Sequence, residues 1–239
     1  MLIPKIIHQI WIQGFDELPE DLKSKHLLLK EYNPDYKIIL WDDKKIQKLL
    51  EKYEAIKFLY NNTEILHGFI KKYQSQSDIA RLVILREYGG FYIDIDYYCP
   101  LSLNKIYNDD DDVVVVGSEY KLLKYIPFIY CPKYGASFIG ISKKHKLFDA
   151  LLVKLGKQTD KNRIGVLFDR YLQQYHYKVK IIDTEYVSSH TSCCSGICTT
   201  PKESTNIMGR EILIYIGCHI YLIFIIVIII FIIIMVIKK

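Results

Sequence analysis

Two aspartates one residue apart, Asp94 and Asp96, close an apolar segment that begins after the pair Gly89-Gly90. Side chains alternate along an extended segment, so both carboxylates fall on one face. At the carboxyl end of a strand in an open α/β sheet, that face points into the crevice where ligands bind. Two carboxylates this close repel, and a divalent cation that prefers oxygen relieves the repulsion; Mn2+ or Mg2+ fits. A nucleoside diphosphate would supply the remaining ligands, and the metal would neutralise charge on the leaving phosphate as a sugar bond breaks. An Asp-x-Asp pair alone is weak, since the run Asp109 to Asp112 contains two more. Its context gives it weight.

That context includes Ser77 and Asp78, which can cap a helix, and Arg81 one turn later. Asp78 and Arg81 can pair with each other or jointly grip hydroxyls and phosphate. Tyr92 shares a strand face with Asp94, which favours a pocket position. Trp11 ends the first apolar run, where a flat indole could cover a base or fill a core.

The elements that must hold these residues alternate. Ile6 to Trp11 reads as a buried strand, Leu18 to Tyr32 as a helix, and Asn33-Pro34-Asp35 as a turn before a second strand, Tyr36 to Trp41. Asp42-Asp43 caps a helix from Lys44 to Tyr53. A helix from Ile79 to Glu87 is ended by Gly89-Gly90, and Phe91 to Ile95 is the strand that carries the carboxylates. Val113 to Val116, Phe138 to Ser142 and Lys178 to Ile182 read as strands, and His145 to Leu155 and Val166 to Tyr175 as helices. A β-α-β-α order argues for an α/β domain with a mostly parallel sheet.

The 239 residues leave room for one globular domain, 1–187, a Cys/Ser/Thr-rich linker, 188–211, and an apolar span, 212–237. The span lacks Asp, Glu, Lys and Arg, and as a helix it would extend about 39 Å, enough to cross a bilayer. The reading is a single-pass membrane protein anchored at its C-terminal end. Only Lys238 and Lys239 follow the span, which predicts insertion after translation and a cytosolic domain, whereas the sequon Asn61-Asn62-Thr63 would carry a glycan if the domain were luminal. An endomembrane or viral membrane is the expected location. The net charge of +5 is mild and acids are interspersed among the bases, so no nucleic-acid stripe is present. His190 with Cys193, Cys194 and Cys198 matches no zinc spacing.

The stretch from Ser77 to Asp96, with Arg81, Gly89-Gly90 and Tyr92 inside it, resembles the signature of the sugar-binding-region DXD glycosyltransferases, glycosyltransferase family 32. That family includes initiating α-1,6-mannosyltransferases and inositol-phosphoceramide mannosyltransferases. Ile3-Pro-Lys-Ile-Ile-His-Gln-Ile-Trp11, Asn33-Pro-Asp-Tyr36 and Leu40-Trp-Asp-Asp43 are similar to it as well, so the likeness covers residues 3 to 101. It implies a GT-A (Rossmann-like) fold and a retaining transfer of a hexose from a UDP- or GDP-sugar to a glycan, lipid or protein acceptor. By the same likeness Ile10, Trp11, Tyr92, Gly89 and Gly90 belong to the donor site, with Trp11 stacked on the base. Asp78 and Arg81 would hold the donor sugar, and Asp94 and Asp96 the Mn2+ or Mg2+. His190 stands where the family has a late histidine before a Ser-Trp pair, but this chain has no tryptophan after Trp41.

Two rivals compete with this reading. Haloacid-dehalogenase-type phosphatases also end a strand in Asp-x-Asp, but they want Thr or Val where this chain has Tyr98. A membrane-anchored transferase-like protein without activity is the other, because the region from Ser188 to Asn206 departs from the family pattern.

Overall fold

The computed structural model describes residues 2–63, 72–97, 99, 101–108, 111–117, 133–157, 164–175 and 177–182. The expected linker at 188–211, the apolar span at 212–237, His190 and the cysteine cluster lie outside them. Among the described residues, no helix is long and apolar enough to cross a membrane.

The elements follow in the order β1 (Ile6–Ile10), α1 (Glu20–Tyr32), β2 (Lys37–Trp41), α2 (Asp43–Leu50), α3 (Glu54–Asn61), α4 (Lys72–Tyr88), β3 (Gly90–Ile93), β4 (Val113–Gly117), β5 (Tyr134–Ile141), α5 (Lys146–Gly156), α6 (Ile164–Gln174) and β6 (Val179–Ile182). The strands form one sheet in the order β2-β1-β3-β5-β4-β6. β1 runs parallel to β2 and β3, and β4 runs parallel to β6. β5 is antiparallel to both its neighbours, β3 and β4. The sheet is therefore mixed, with one reversed strand at its centre. An apolar run such as Phe138 to Ile141 carries no mark of direction, so the sequence pattern could not show the reversal.

Strand side chains alternate between two cores. Ile10, Tyr92, Val113, Val115, Ile139 and Ile141 face the layer of α2 to α6. Ile7, Phe91, Ile93, Val114, Val116 and Phe138 face Leu29 of α1 together with Tyr97 and Leu103. β3 and β4 are buried on both faces, which is why they read as unbroken apolar runs.

Three expected boundaries near the site move, and the first is that β5 begins at Tyr134 rather than Phe138 and so contains Ala136 and Ser137. α4 starts at Lys72 rather than after Asp78, so Ser77 and Asp78 lie inside the helix and cap nothing. Asp78 instead pairs with Arg81 three residues on, and Ser75 and Gln76 in the preceding turn are buried. β3 stops at Ile93, and Asp94 to Asp96 form a turn closed by Tyr97 N–H donating to the Asp94 carbonyl at 3.0 Å. α2 does begin at the expected cap, with Asp42 accepting from Lys45 N–H at 2.8 Å. α3 was not expected at all.

Gly89 and Gly90 join α4 to β3 with φ of 62° and 89°. A side chain on Gly89 would strike the Lys143 backbone and one on Gly90 the Ile6 carbonyl, so only glycine fits this corner. The corner is fixed by His8, which is wholly buried. Trp41 Nε1 donates to His8 Nδ1 at 3.1 Å, which leaves the ring proton on Nε2 to donate to the Gly89 carbonyl at 2.9 Å. Burial drives the His8 pKa down to about 4, against a smaller upward pull from the Gly89 carbonyl. Three separated sequence blocks are thus locked through one neutral imidazole.

Candidate active site

The chain leaves β1 through α1 on one face of the sheet and returns to β3 through α2, α3 and α4 on the other. The carboxyl ends of β1 and β3 therefore lie where the strand order reverses, the place at which open α/β sheets bind ligands. A cleft of about 450 Å³ opens there. Ile10, Trp11 and Gln13 line it from the end of β1, Tyr92, Asp94 and Asp96 from the end of β3, and Tyr73, Gln74, Ser77 and Arg81 from α4. Leu22 of α1 supplies a further wall.

Arg81 is the centre of the floor. Its side chain is 8% exposed, and its Nη2 lies 2.8 Å from Asp78 Oδ1 and 3.4 Å from Asp94 Oδ1. Nη1 donates to the Ala136 carbonyl at 2.7 Å, and the guanidinium sits 4.5 Å from the centre of the Tyr92 ring. Burial works against its charge, yet Tyr92, Asp94, Asp78 and Asp96 outweigh that penalty and raise its pKa. The Tyr92 hydroxyl donates to Asp94 Oδ1, and burial holds that phenol protonated, well above its ordinary range. Asp94 N–H donates to the Ser137 carbonyl at 2.8 Å, so β5 anchors the turn that presents the carboxylate.

Trp11 lines the cleft from the end of β1. Its N–H donates to the Trp41 carbonyl at 2.9 Å and its indole Nε1 to the Glu17 carbonyl at 3.3 Å. Held through its main chain and its indole, Trp11 presents a flat apolar surface to the cleft.

Of the residues singled out in the sequence, Ile10, Trp11, Arg81, Tyr92, Asp94 and Asp96 meet in this cleft. Asp78 reaches it through its ion pair with Arg81. Gly89 and Gly90 do not: they lie at the start of β3, the end opposite Asp94, and shape the corner with His8. His190 lies outside the described residues. Ala136 and Ser137 were missed, because the expected strand began at Phe138 and both act through main-chain carbonyls, on a strand whose direction the sequence does not show.

Among the described residues, no group of three or more His, Cys, Asp or Glu side chains could cage a metal ion. Asp94 and Asp96 nevertheless suit a hard cation of the kind that keeps several waters and takes its other ligands from substrate phosphates. Asp96 is exposed at the cleft, whereas Oδ1 of Asp94 already meets Arg81 and Tyr92.

Comparison with known proteins bears on what the cleft serves. The chain is 29% identical over 188 residues, 72% of its length and 73% of the other's, to the "Uncharacterized glycosyltransferase L373" of Acanthamoeba polyphaga mimivirus. It is 35% identical over 107 residues, 44% of its length, to the "Mannosyl phosphorylinositol ceramide synthase SUR1" of Saccharomyces cerevisiae, of which this covers 25%. The "Inositol phosphoceramide mannosyltransferase 3" of Schizosaccharomyces pombe is 30% identical over 110 residues, 44% of this chain and 27% of that protein. Among solved structures, "PaToxG Glycosyltransferase" is similar with a TM-score of 0.49 and 20% identity, over 72% of this chain and 69% of that one. The relatives are of the kind implied by the resemblance over residues 3 to 101. The family described as "Capsular polysaccharide synthesis protein" matches residues 2–192, and the chain belongs to that family.

Proposed function

We propose that this protein is a glycosyltransferase of the GT-A type that takes a hexose from a UDP- or GDP-sugar. The observation that carries the reading is the cleft at the strand-order reversal, which Trp11 lines from the end of β1 and Asp94 and Asp96 line from the end of β3. In this reading the base lies on the Trp11 indole and the diphosphate extends toward the Asp94 to Asp96 turn. The sugar then reaches the floor at Arg81, which Asp78 holds in place. Asp94 and Asp96 would hold Mn2+ or Mg2+, whose charge would offset that of the departing diphosphate. Tyr92 remains a neutral donor beneath Asp94 and fixes its orientation.

Transfer with retention of configuration rests on the family resemblance, as does the choice among glycan, lipid and protein acceptors. Tethering of the domain to a membrane rests on the apolar span at 212–237. A glycan on Asn61, an exposed residue at the end of α3, would place the domain in a lumen.

The test is a panel of UDP- and GDP-sugars incubated with the full-length protein and Mn2+, with released nucleotide followed by mass spectrometry. Release from at least one donor is expected. Absence of both binding and hydrolysis across the panel would refute the reading, and binding without turnover would favour a non-catalytic member of the family.

A further inference from the structure

The inward stripe of α1 reads Leu22, Lys25, His26 and Leu29, at helical spacing. Leu22 lines the cleft, His26 Nδ1 lies 2.6 Å from Gln9 Oε1 of β1, and Leu29 is buried in the core. Lys25 is partly buried in this stripe, and its Nζ donates to the main-chain carbonyl of Asp96 at 2.9 Å. Its neighbour Lys23, partly buried as well, stays local, 3.7 Å from Glu20 on its own helix and over the nearby Phe15 ring. Lys25 reaches instead across 71 residues of sequence to the turn that carries the carboxylates.

That turn has anchors on two sides. β5 fixes its start, through Asp94 N–H and the Ser137 carbonyl, and α1 fixes its end, through Lys25 and the Asp96 carbonyl. The peptide that Lys25 holds belongs to the residue whose carboxylate is exposed at the cleft. The charges point the same way. Arg81 is committed to Asp78 and Asp94, and Lys25 brings a second cation to the Asp96 side.

We propose that Lys25 is a positioning residue for the metal and diphosphate site, setting the direction of the Asp96 carboxylate through its carbonyl and placing a cation at the rim. The inference rests on the reading of the cleft given above. Groups that orient a metal ligand rather than bind the metal change affinity by about tenfold to a hundredfold when removed.

The experiment titrates Mn2+ into the full-length protein by electron paramagnetic resonance, alone and with UDP or GDP, and records thermal melting in parallel. Lys25→Met should weaken Mn2+ binding by about tenfold, with melting within about 2 °C of wild type. Lys25→Arg, which keeps the charge, should stay within about threefold of wild type. Unchanged Mn2+ affinity in Lys25→Met, with wild type binding the ion, overturns the inference and leaves the site standing. A loss of affinity that only follows a lowered melting temperature, in Lys25→Met and Lys25→Gln alike, makes Lys25 a fold residue and overturns it too. Wild type that binds no Mn2+ under any of these conditions overturns the inference and the reading of the cleft together.

Discussion

Replacing Arg81 with methionine tests the floor of the cleft most directly. The substitution keeps much of the side-chain volume but deletes the charge between Asp78 and Asp94 and the donor to the Ala136 carbonyl. Leaving a buried charge without its partner costs about 3–5 kcal/mol. Asp78 and Asp94 are 19% and 29% exposed, so water recovers part of that, and the lower end, about 3 kcal/mol, is expected. For a domain of this size that corresponds to a fall in melting temperature of roughly 6–12 °C. Urea unfolding of wild type and Arg81→Met at pH 7 measures it, and a loss below about 1 kcal/mol would refute the reasoning. A second substitution separates charge from packing. Adding Asp78→Asn removes one orphaned carboxylate and should restore about 1 kcal/mol relative to Arg81→Met alone, an interaction between neighbours that independent sites would not show. If the double variant is simply the sum of the two single ones, Arg81 serves as filler and not as a counter-charge.

His8 should give the fold an acid-sensitive term. Its folded pKa of about 4 lies below the ordinary value near 6.5, so the unfolded chain takes up the proton first. The contribution is complete above pH 6.5 and is lost as pH falls toward 4, by about 2 kcal/mol between pH 7.5 and pH 5. Unfolding free energies of wild type and His8→Gln across that window should differ in slope by this amount, and parallel curves would sink the assignment. Gly90→Ala, which forces a side chain toward the Ile6 carbonyl at a φ of 89°, should destabilise by at least about 2 kcal/mol in thermal melts. A melting temperature equal to wild type would show that the corner relaxes freely. Asp96→Asn sits on an exposed side chain, so stability should move by less than about 0.5 kcal/mol while Mn2+-dependent donor hydrolysis disappears. Full turnover in that variant would remove Asp96 from the site.

Local chemistry made much of this molecule readable from the sequence. Asp42 caps α2 because a carboxylate one residue before a helix meets an open N–H, a rule that needs no tertiary partner. Gly89-Gly90 marked the end of α4 because only glycine takes that backbone conformation cheaply. The likeness over residues 3 to 101 implied that Trp11 and the Asp94 and Asp96 carboxylates share a site, and the parallel pairing of β1 with β3 brings their carboxyl ends to one edge. Other features depended on partners far away in the chain. Asp78 reads as a cap in isolation and becomes an ion-pair partner only because α4 extends back to Lys72. The reversal of β5, which brings the Ala136 and Ser137 carbonyls to Arg81 and Asp94, follows from packing across the sheet and leaves no trace in an apolar run. Lys25 looks like any surface lysine until α1 is laid over the turn at Asp96. The sequence by itself therefore determined which groups could do chemistry and at which strand ends they stand, because capping, glycine geometry and periodicity act within a few residues. Tertiary structure alone decided which of them are charged neighbours, since burial and counter-charge are set by segments brought together only on folding.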